Sequence, residues 1–193
     1  MPEPIKVLAF AGSLRSGSFN KKLVQAAAQM AKKAGAEVTV VDLRDFDMPL
    51  YDGDDEADSG IPEGALRFKQ VMSSHDALLI SAPEYNSSIS GVLKNAIDWA
   101  SRKGPGEAPL QSISGKVAGL LSASPGGLGG VRGLVTVRSI LSNLNLLVIP
   151  EQFALVRSHE AFDENGNLKD PKQMAAVEKV VNRLVEVTTK LKA

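Results

Sequence analysis

The stretch Ala11–Lys22, AGSLRSGSFNKK, gathers Ser13, Arg15, Ser16, Ser18 and Asn20 around two glycines, Gly12 and Gly17. It follows the apolar run Ile5–Phe10 and precedes apolar residues at helical spacing, so these side chains stand where a helix begins. Each of them can donate hydrogen bonds, and Arg15 adds a planar, permanently charged fork. A helix start contributes unpaired backbone N–H groups and roughly half an elementary positive charge. Such a set binds anions, and a phosphate is the natural guest. A helix cap is the simpler use of the same residues, with Ser18 or Asn20 as the capping side chain. A cap needs one such residue, and this loop offers more, with an arginine besides.

Two familiar nucleotide patterns are absent. Gly12 and Gly17 are spaced as in a nucleotide P-loop, but Ser18-Phe19 stands where that motif requires lysine and then Ser or Thr. The G-x-G-x-x-G fingerprint fails after Gly12, where Ser13 and Leu14 follow, and again in GGLGGVRG, where Arg132 takes the last glycine's place. A terminal monophosphate suits the loop better than a pyrophosphate. Roughly four charge-assisted hydrogen bonds at about 1.5–3 kcal/mol each supply on the order of 6–12 kcal/mol. Association costs of about 4–15 kcal/mol offset most of that. A tightly held cofactor therefore needs a second, apolar surface.

Two further loops offer one. Pro83 stops an apolar run, and the turn Pro83-Glu84-Tyr85-Asn86 would present backbone N–H groups to a heteroaromatic ring, with Tyr85 packed on that ring. Ser124-Pro125-Gly126-Gly127 would line the ring's other edge with backbone. On the plainer reading, PEY is a strand-ending turn and Tyr85 an ordinary surface aromatic.

The elements that must position these loops are legible as alternating patterns. Apolar or β-branched runs at Ile5–Ala11, Glu37–Leu43, Ala77–Ala82, Lys116–Ala123 and Leu146–Ile149 read as strands. Helical patterns fill Asn20–Ala34, Pro62–Ser74, Gly91–Arg102, Gly130–Leu144 and Pro171–Leu191. Leu66, Val71 and Met72 are expected on the inner side of the second helix, and Met174, Val177, Val181, Leu184 and Leu191 recur at helical spacing in the last. Asp52–Gly60, DGDDEADSG, reads as an exposed loop. Parallel strands need long crossovers, and right-handed crossovers lay helices on both faces of the sheet. The expected fold is a three-layer, doubly wound α/β domain spanning 1–193, with the flavodoxin-like strand order 2-1-3-4-5. In that fold ligands sit beyond the carboxyl ends of the strands, where all three loops emerge.

Whole-chain properties narrow the partners. The 193 residues hold 22 Lys+Arg against 22 Asp+Glu, so no basic excess invites nucleic acid or an anionic membrane. The apolar share of 44% suits a folded globular chain. Cysteine is absent, which rules out disulfides, thiolate metal sites and cysteine nucleophiles and accords with a reducing cytoplasm. MPEPIK lacks the pattern of a signal peptide, and no apolar run is long enough to span a bilayer.

GSLRSGSFN resembles the G-S-x-R-x-x-S-x-N phosphate loop of the NAD(P)H-dependent FMN reductase family at every specified position. Pro83–Trp99, PEYNSSISGVLKNAIDW, is similar to that family's P-E-Y-N…G-x-L-K-N-A-I-D-W segment, and ASPGGLGGVRG to its third loop. The resemblance covers essentially the whole chain and is closest to bacterial quinone and chromate reductases. It implies a flavodoxin-like homodimer or homotetramer with bound FMN, NAD(P)H as co-substrate and a small-molecule electron acceptor: a quinone, an azo dye or chromate. It implies that Ser13, Arg15, Ser18, Phe19 and Asn20 hold the FMN phosphate, beside Gly17. Pro83, Glu84, Tyr85 and Asn86 would border the isoalloxazine, with Ser124, Gly126 and Gly127 at its far side. Leu93, Asn95 and Trp99 sit on a helix that pairs subunits in relatives, though core packing serves Trp99 equally well.

Flavin carries its own hydride chemistry, so no side chain is expected to act as a catalytic acid or base. His75 and His159 are expected in solvated or capping roles. Arg102 or Lys103 would attract an anionic acceptor. The acidic runs DGDDEADSG and DENGN lack the glycine and closing glutamate spacing of a calcium loop, and no metal site is expected. A flavodoxin-type electron carrier is the main rival function, although carriers are usually strongly acidic. A nucleotide-binding regulatory domain is disfavoured by the missing P-loop lysine.

Overall fold

The computed structural model describes residues 3–192; the first two residues of MPEPIK and the last of the chain lie outside them. Along the chain run β1 (Lys6–Ala11), α1 (Phe19–Lys33), β2 (Glu37–Val41), α2 (Gly53–Ser59), α3 (Glu63–Ser73), β3 (Ala77–Ser81), β4 (Glu84–Tyr85), β5 (Ser88–Ile89), α4 (Gly91–Ser101), β6 (Val117–Ala123), α5 (Val131–Asn143), β7 (Leu147–Leu155) and α6 (Pro171–Lys192). β2-β1-β3-β6-β7 form a parallel sheet in that order, and β4-β5 a small antiparallel hairpin. Counting only the large sheet's strands, this is the expected order 2-1-3-4-5.

Successive side chains along each strand face opposite layers, which divides the core in two. Val7 and Ala9 of β1 and Ala77 and Leu79 of β3 pack with Leu23, Ala27 and Ala31 of α1 and Val177, Val181 and Leu184 of α6. Leu8, Phe10, Leu78 and Ile80 face the other way, toward Phe68 and Met72 of α3, Leu93 and Ile97 of α4 and Leu134 of α5. The alanine stripe of α1 lets that helix lie close to the sheet. Each fully buried Leu, Ile or Phe contributes about 1.5–3 kcal/mol by leaving water. In register, Phe10 lies opposite Val41 on one side and Ile80 on the other, so β1, β2 and β3 end together.

Several expectations need correction. The acidic run Asp52–Gly60 is helical over α2, with no residue buried; Asp52 caps it by accepting from the Asp54 N–H, and acidic residues in the first turn suit the helix dipole. Leu66 is exposed rather than inward, because the buried face of α3 is Ala65, Phe68, Lys69 and Met72. Met174 and Leu191 also stand in solvent; the buried stripe of α6 runs through Val177, Val180, Val181, Leu184 and Thr188. β7 does not stop at Ile149. It continues through Pro150 to Leu155, with a register irregularity opposite Ala118–Leu120. Pro150 is tolerated because β7 is an edge strand and the irregularity releases its missing N–H from the ladder.

Candidate functional site

The three loops do converge. A cleft of about 180 Å³ opens beyond the carboxyl ends of β1, β3 and β6, lined by Ser13, Arg15, Ser18, Phe19, Asn20, Pro83, Glu84, Tyr85, Ala123, Ser124 and Pro125. Gly17, Asn86, Gly126 and Gly127 belong to the same loops but do not line it.

The first loop is fixed from several sides. Gly12 donates its N–H to the Ser81 carbonyl at 3.0 Å, and its own carbonyl accepts from Ser90 Oγ at 2.6 Å. A Cβ at Gly12 would meet Leu93 at 2.8 Å, so this glycine admits α4 rather than a ligand. Arg44 donates to the Leu14 carbonyl from outside, and Ser13 Oγ accepts from the Arg15 N–H. Two groups are left over. Ser18 holds the N-cap position of α1, buried, with its hydroxyl capping nothing. The Arg15 guanidinium makes no hydrogen bond or ion pair among the described residues. Beside them α1 opens with its unpaired N–H groups. A Cβ at Gly17 would meet nothing within 4 Å.

Asn20 differs from its sequence assignment. Its Nδ2 donates to the Ala123 carbonyl at 2.9 Å, and its Oδ1 accepts from the Ala123 N–H at 2.9 Å and Ser81 Oγ at 2.8 Å. This buried amide therefore ties α1 to β3 and β6, and its contribution to the cleft is placement of the helix start.

The second loop is a hairpin. Asn86 and Ser87 have φ of 52° and 65°, the left-handed pair that a two-residue turn of matching twist requires. Pro83 and Tyr85 face the cleft, with Tyr85 half exposed. The Glu84 carboxylate turns to Arg132 and Gly133 at the start of α5. Burial pushes this carboxyl up, but the Arg132 guanidinium, the Gly133 N–H and the Arg132 charge outweigh it and hold it below the usual glutamate range. In the third loop, Gly129 (φ 63°) has the Ala154 backbone 2.8 Å from where a Cβ would stand. A Cβ at Gly127 would face open space.

A fourth segment, Val156–Phe162, escaped the sequence reading because β7 runs further than its apolar pattern indicates. Arg157 and Ser158 donate their N–H groups to the Gly126 and Ser124 carbonyls at 3.4 and 3.1 Å. Phe162 stacks on Phe19, ring centroids 6.5 Å apart and 4° from parallel. This segment backs both the third loop and the start of α1.

Asn95 and Trp99, one turn apart on α4, clamp the irregular segment Met48–Tyr51. Asn95 bonds the Met48 and Pro49 carbonyls and the Tyr51 N–H, while Trp99 Nε1 donates to the Pro49 carbonyl at 2.7 Å. Arg102 is not free for an anionic acceptor, since its Nε meets both oxygens of Glu56 at 2.9 and 3.0 Å. Lys103 is exposed. His75 is buried between the Val71 carbonyl and Thr39 Oγ1, a structural post rather than a solvated one. His159 lies exposed beside Glu160. No metal-holding cluster of acidic and histidine side chains occurs among the described residues.

The family model described as NADPH-dependent FMN reductase matches residues 5–160. The chain belongs to the NADPH-dependent FMN reductase family. An NAD(P)H-dependent FMN reductase of Pseudomonas aeruginosa is 38% identical over 185 residues, covering 95% of each chain. A quinone reductase of Escherichia coli is 35% identical over 173 residues, with 88% of each chain covered. Among solved structures, the flavoenzyme FerB, an NAD(P)H:(acceptor) oxidoreductase of Paracoccus denitrificans, superimposes with a TM-score of 0.81 at 32% identity. That match covers 96% of this chain and 98% of FerB.

The cleft suits the phosphate end of the flavin that gives this reductase family its name. The Ser18 hydroxyl and the exposed Arg15 guanidinium, both without protein partners, face it together, at a helix start whose neighbouring Gly17 leaves open space. The cleft holds about 180 Å³, and Tyr85 at its side is half exposed.

Proposed function

We propose that this chain acts as a single domain with bound FMN and oxidises NAD(P)H to reduce quinones. The observation that carries the reading is the pair Arg15 and Ser18, uncommitted donors together at the start of α1 in the cleft where the three loops meet. When bound, FMN supplies the redox chemistry, taking hydride from the nicotinamide and passing two electrons on, with protons, to give the hydroquinone. The protein's share is binding and orientation. Arg15, Ser18 and the first N–H groups of α1 hold the phosphate, with Ser13 and Gly17 shaping their loop. Asn20 locks the helix start in place. Pro83 and Tyr85 wall the ring site, and Asn86, Ser124, Gly126 and Gly127 border it with backbone. No residue of the cleft is needed as a proton carrier.

A second copy of the chain is proposed to cover the exposed apolar side chains of Leu128, Val131 and Val135, on and just before α5, the helix against which β4 packs, giving a homodimer or homotetramer. No described helix is long and apolar enough to cross a membrane, and the absence of cysteine suits the cytoplasmic setting we assign. The charge balance of the chain favours an enzyme over an electron carrier that docks through an acidic face. The test is oxidation of NADH and NADPH by the FMN-loaded protein with a benzoquinone present, and with chromate in a parallel assay. Turnover with the quinone is expected. FMN binding without nicotinamide oxidation would favour the carrier, and failure to bind FMN would end the proposal.

A further inference from the structure

Glu84 is a buried carboxylate at the cleft for which the proposed chemistry has no task. Only 7% of its side chain is exposed. One oxygen accepts from Arg132 Nε at 2.7 Å and pairs with Nη2 at 2.5 Å; the other accepts from the N–H groups of Arg132 and Gly133 at 2.9 and 3.1 Å. Those N–H groups belong to the first turn of α5, whose own N-cap residue, Gly130, has no side chain and whose first turn holds no acidic residue. α5 is thus capped from 48 residues away in sequence. The hairpin also sits tightly there. A Cβ at Gly133 would lie 3.3 Å from Glu84 Cβ and 3.4 Å from the Ser88 carbonyl oxygen, and one at Gly130 would lie 3.6 Å from Glu84 Cβ. The left-handed backbone of Asn86 and Ser87 persists only where surrounding contacts over-determine it.

Resting on the flavin reading given above, we propose that Glu84 is a positioning residue. Its carboxylate, as the remote cap of α5, sets the height at which Pro83 and Tyr85 meet the flavin ring. Both oxygens face donors only, so the role requires a carboxylate. In Glu84→Gln one oxygen becomes an NH2 group opposed to N–H donors, and the fastening is lost at one side.

The ring and phosphate ends of the site can be read separately with two ligands, FMN and riboflavin, titrated into the apoprotein. Glu84→Gln is expected to weaken both by the same factor, about tenfold, and to shift the visible band of the bound flavin. Arg15→Ala is expected to weaken FMN alone. Should Glu84→Gln fail to fold, Arg132→Ala removes only the guanidinium half of the fastening from an exposed position, with a smaller loss of about threefold expected for both flavins. A lowered melting temperature with both affinities and the spectrum unchanged would overturn the positioning role. A loss confined to FMN would also overturn it, since the effect would then lie at the phosphate. If the wild-type protein binds neither flavin, the functional reading beneath the inference fails instead.

Discussion

The two ends of the sheet are built from similar residue types and treat them differently. At the amino ends of β3 and β6, every polar side chain of note answers another. His75 lies between the Val71 carbonyl and Thr39 Oγ1, Lys116 donates to the His75 carbonyl, and Asp76 accepts from the Lys6 N–H at 2.7 Å and Lys192 at 2.9 Å. At the carboxyl ends, Arg15 and Ser18 face a cleft without protein partners. Ser18 is buried and Arg15 exposed, and two such donors left over together at a helix start suit an anion from outside the chain. Volume is a poorer guide. A larger cavity of about 300 Å³ lies between α1 and β2, but its charged groups close on each other, with Lys21 2.5 Å from Asp42. Burial raises the Asp42 carboxyl, yet the Lys21 and Arg44 bonds together hold it below the usual range, as expected of a satisfied pair.

This contrast can be broken at either end, and the largest effect should come at the cleft. Arg15→Ala removes one or two charge-assisted bonds to phosphate, at about 1.5–3 kcal/mol each, so the Kd for FMN should rise about 100-fold while stability barely changes. Turnover at saturating FMN should survive, because the residue anchors and does not react. An equal loss of turnover in the saturated enzyme would contradict the anchoring role.

Asn20→Ala comes next, and its effect should appear in stability first. The substitution leaves the Ala123 N–H and carbonyl and the Ser81 hydroxyl buried without partners. The expected cost is about 3 kcal/mol, read as a lower denaturant midpoint of the apoprotein. A variant as stable as the wild type that had lost only FMN affinity would return Asn20 to the direct phosphate contact its sequence position suggests.

The smallest effect is expected at the amino end. Burial raises the Asp76 carboxyl, but the Lys6 N–H and Lys192 outweigh it, so its folded pKa lies below the ordinary aspartate value. A depressed carboxylate contributes stability above its unfolded pKa, near 3.9, and that contribution drains away as pH falls through the lower folded value. Asp76→Asn should therefore be less stable than the wild type at neutral pH, by no more than about 1 kcal/mol, and the gap should close below about pH 4. FMN affinity should not move, and if it did, the two ends would not be independent.

The sequence carried the frame of the molecule and the address of the site. Strands ended by glycine or proline and helices with apolar residues three and four apart are local patterns, and they placed three polar loops at one sheet edge. What escaped depends on partners distant in sequence. α2 has no apolar periodicity; an Asp52 cap and the Glu56–Arg102 pair support it. Val156–Phe162 was hidden because β7 crosses Pro150 at a sheet edge. Asn20 and Glu84 line the cleft, but the partners of their side chains, Ser81 and Ala123 for one and Arg132 and Gly133 for the other, could not be read because residue type reveals the capacity to bond and says nothing of who takes the bond. The close approach of Leu93 to Gly12 is likewise a contact between segments far apart in sequence.

The most direct test of the central claim is a calorimetric comparison of FMN and riboflavin binding to the wild-type apoprotein, since the two ligands differ only by the terminal phosphate. Arg15, Ser18 and the start of α1 should make FMN bind at least about 100-fold tighter, with the difference shrinking as salt is raised. Equal affinities for the two flavins would mean that these donors are not waiting for a phosphate.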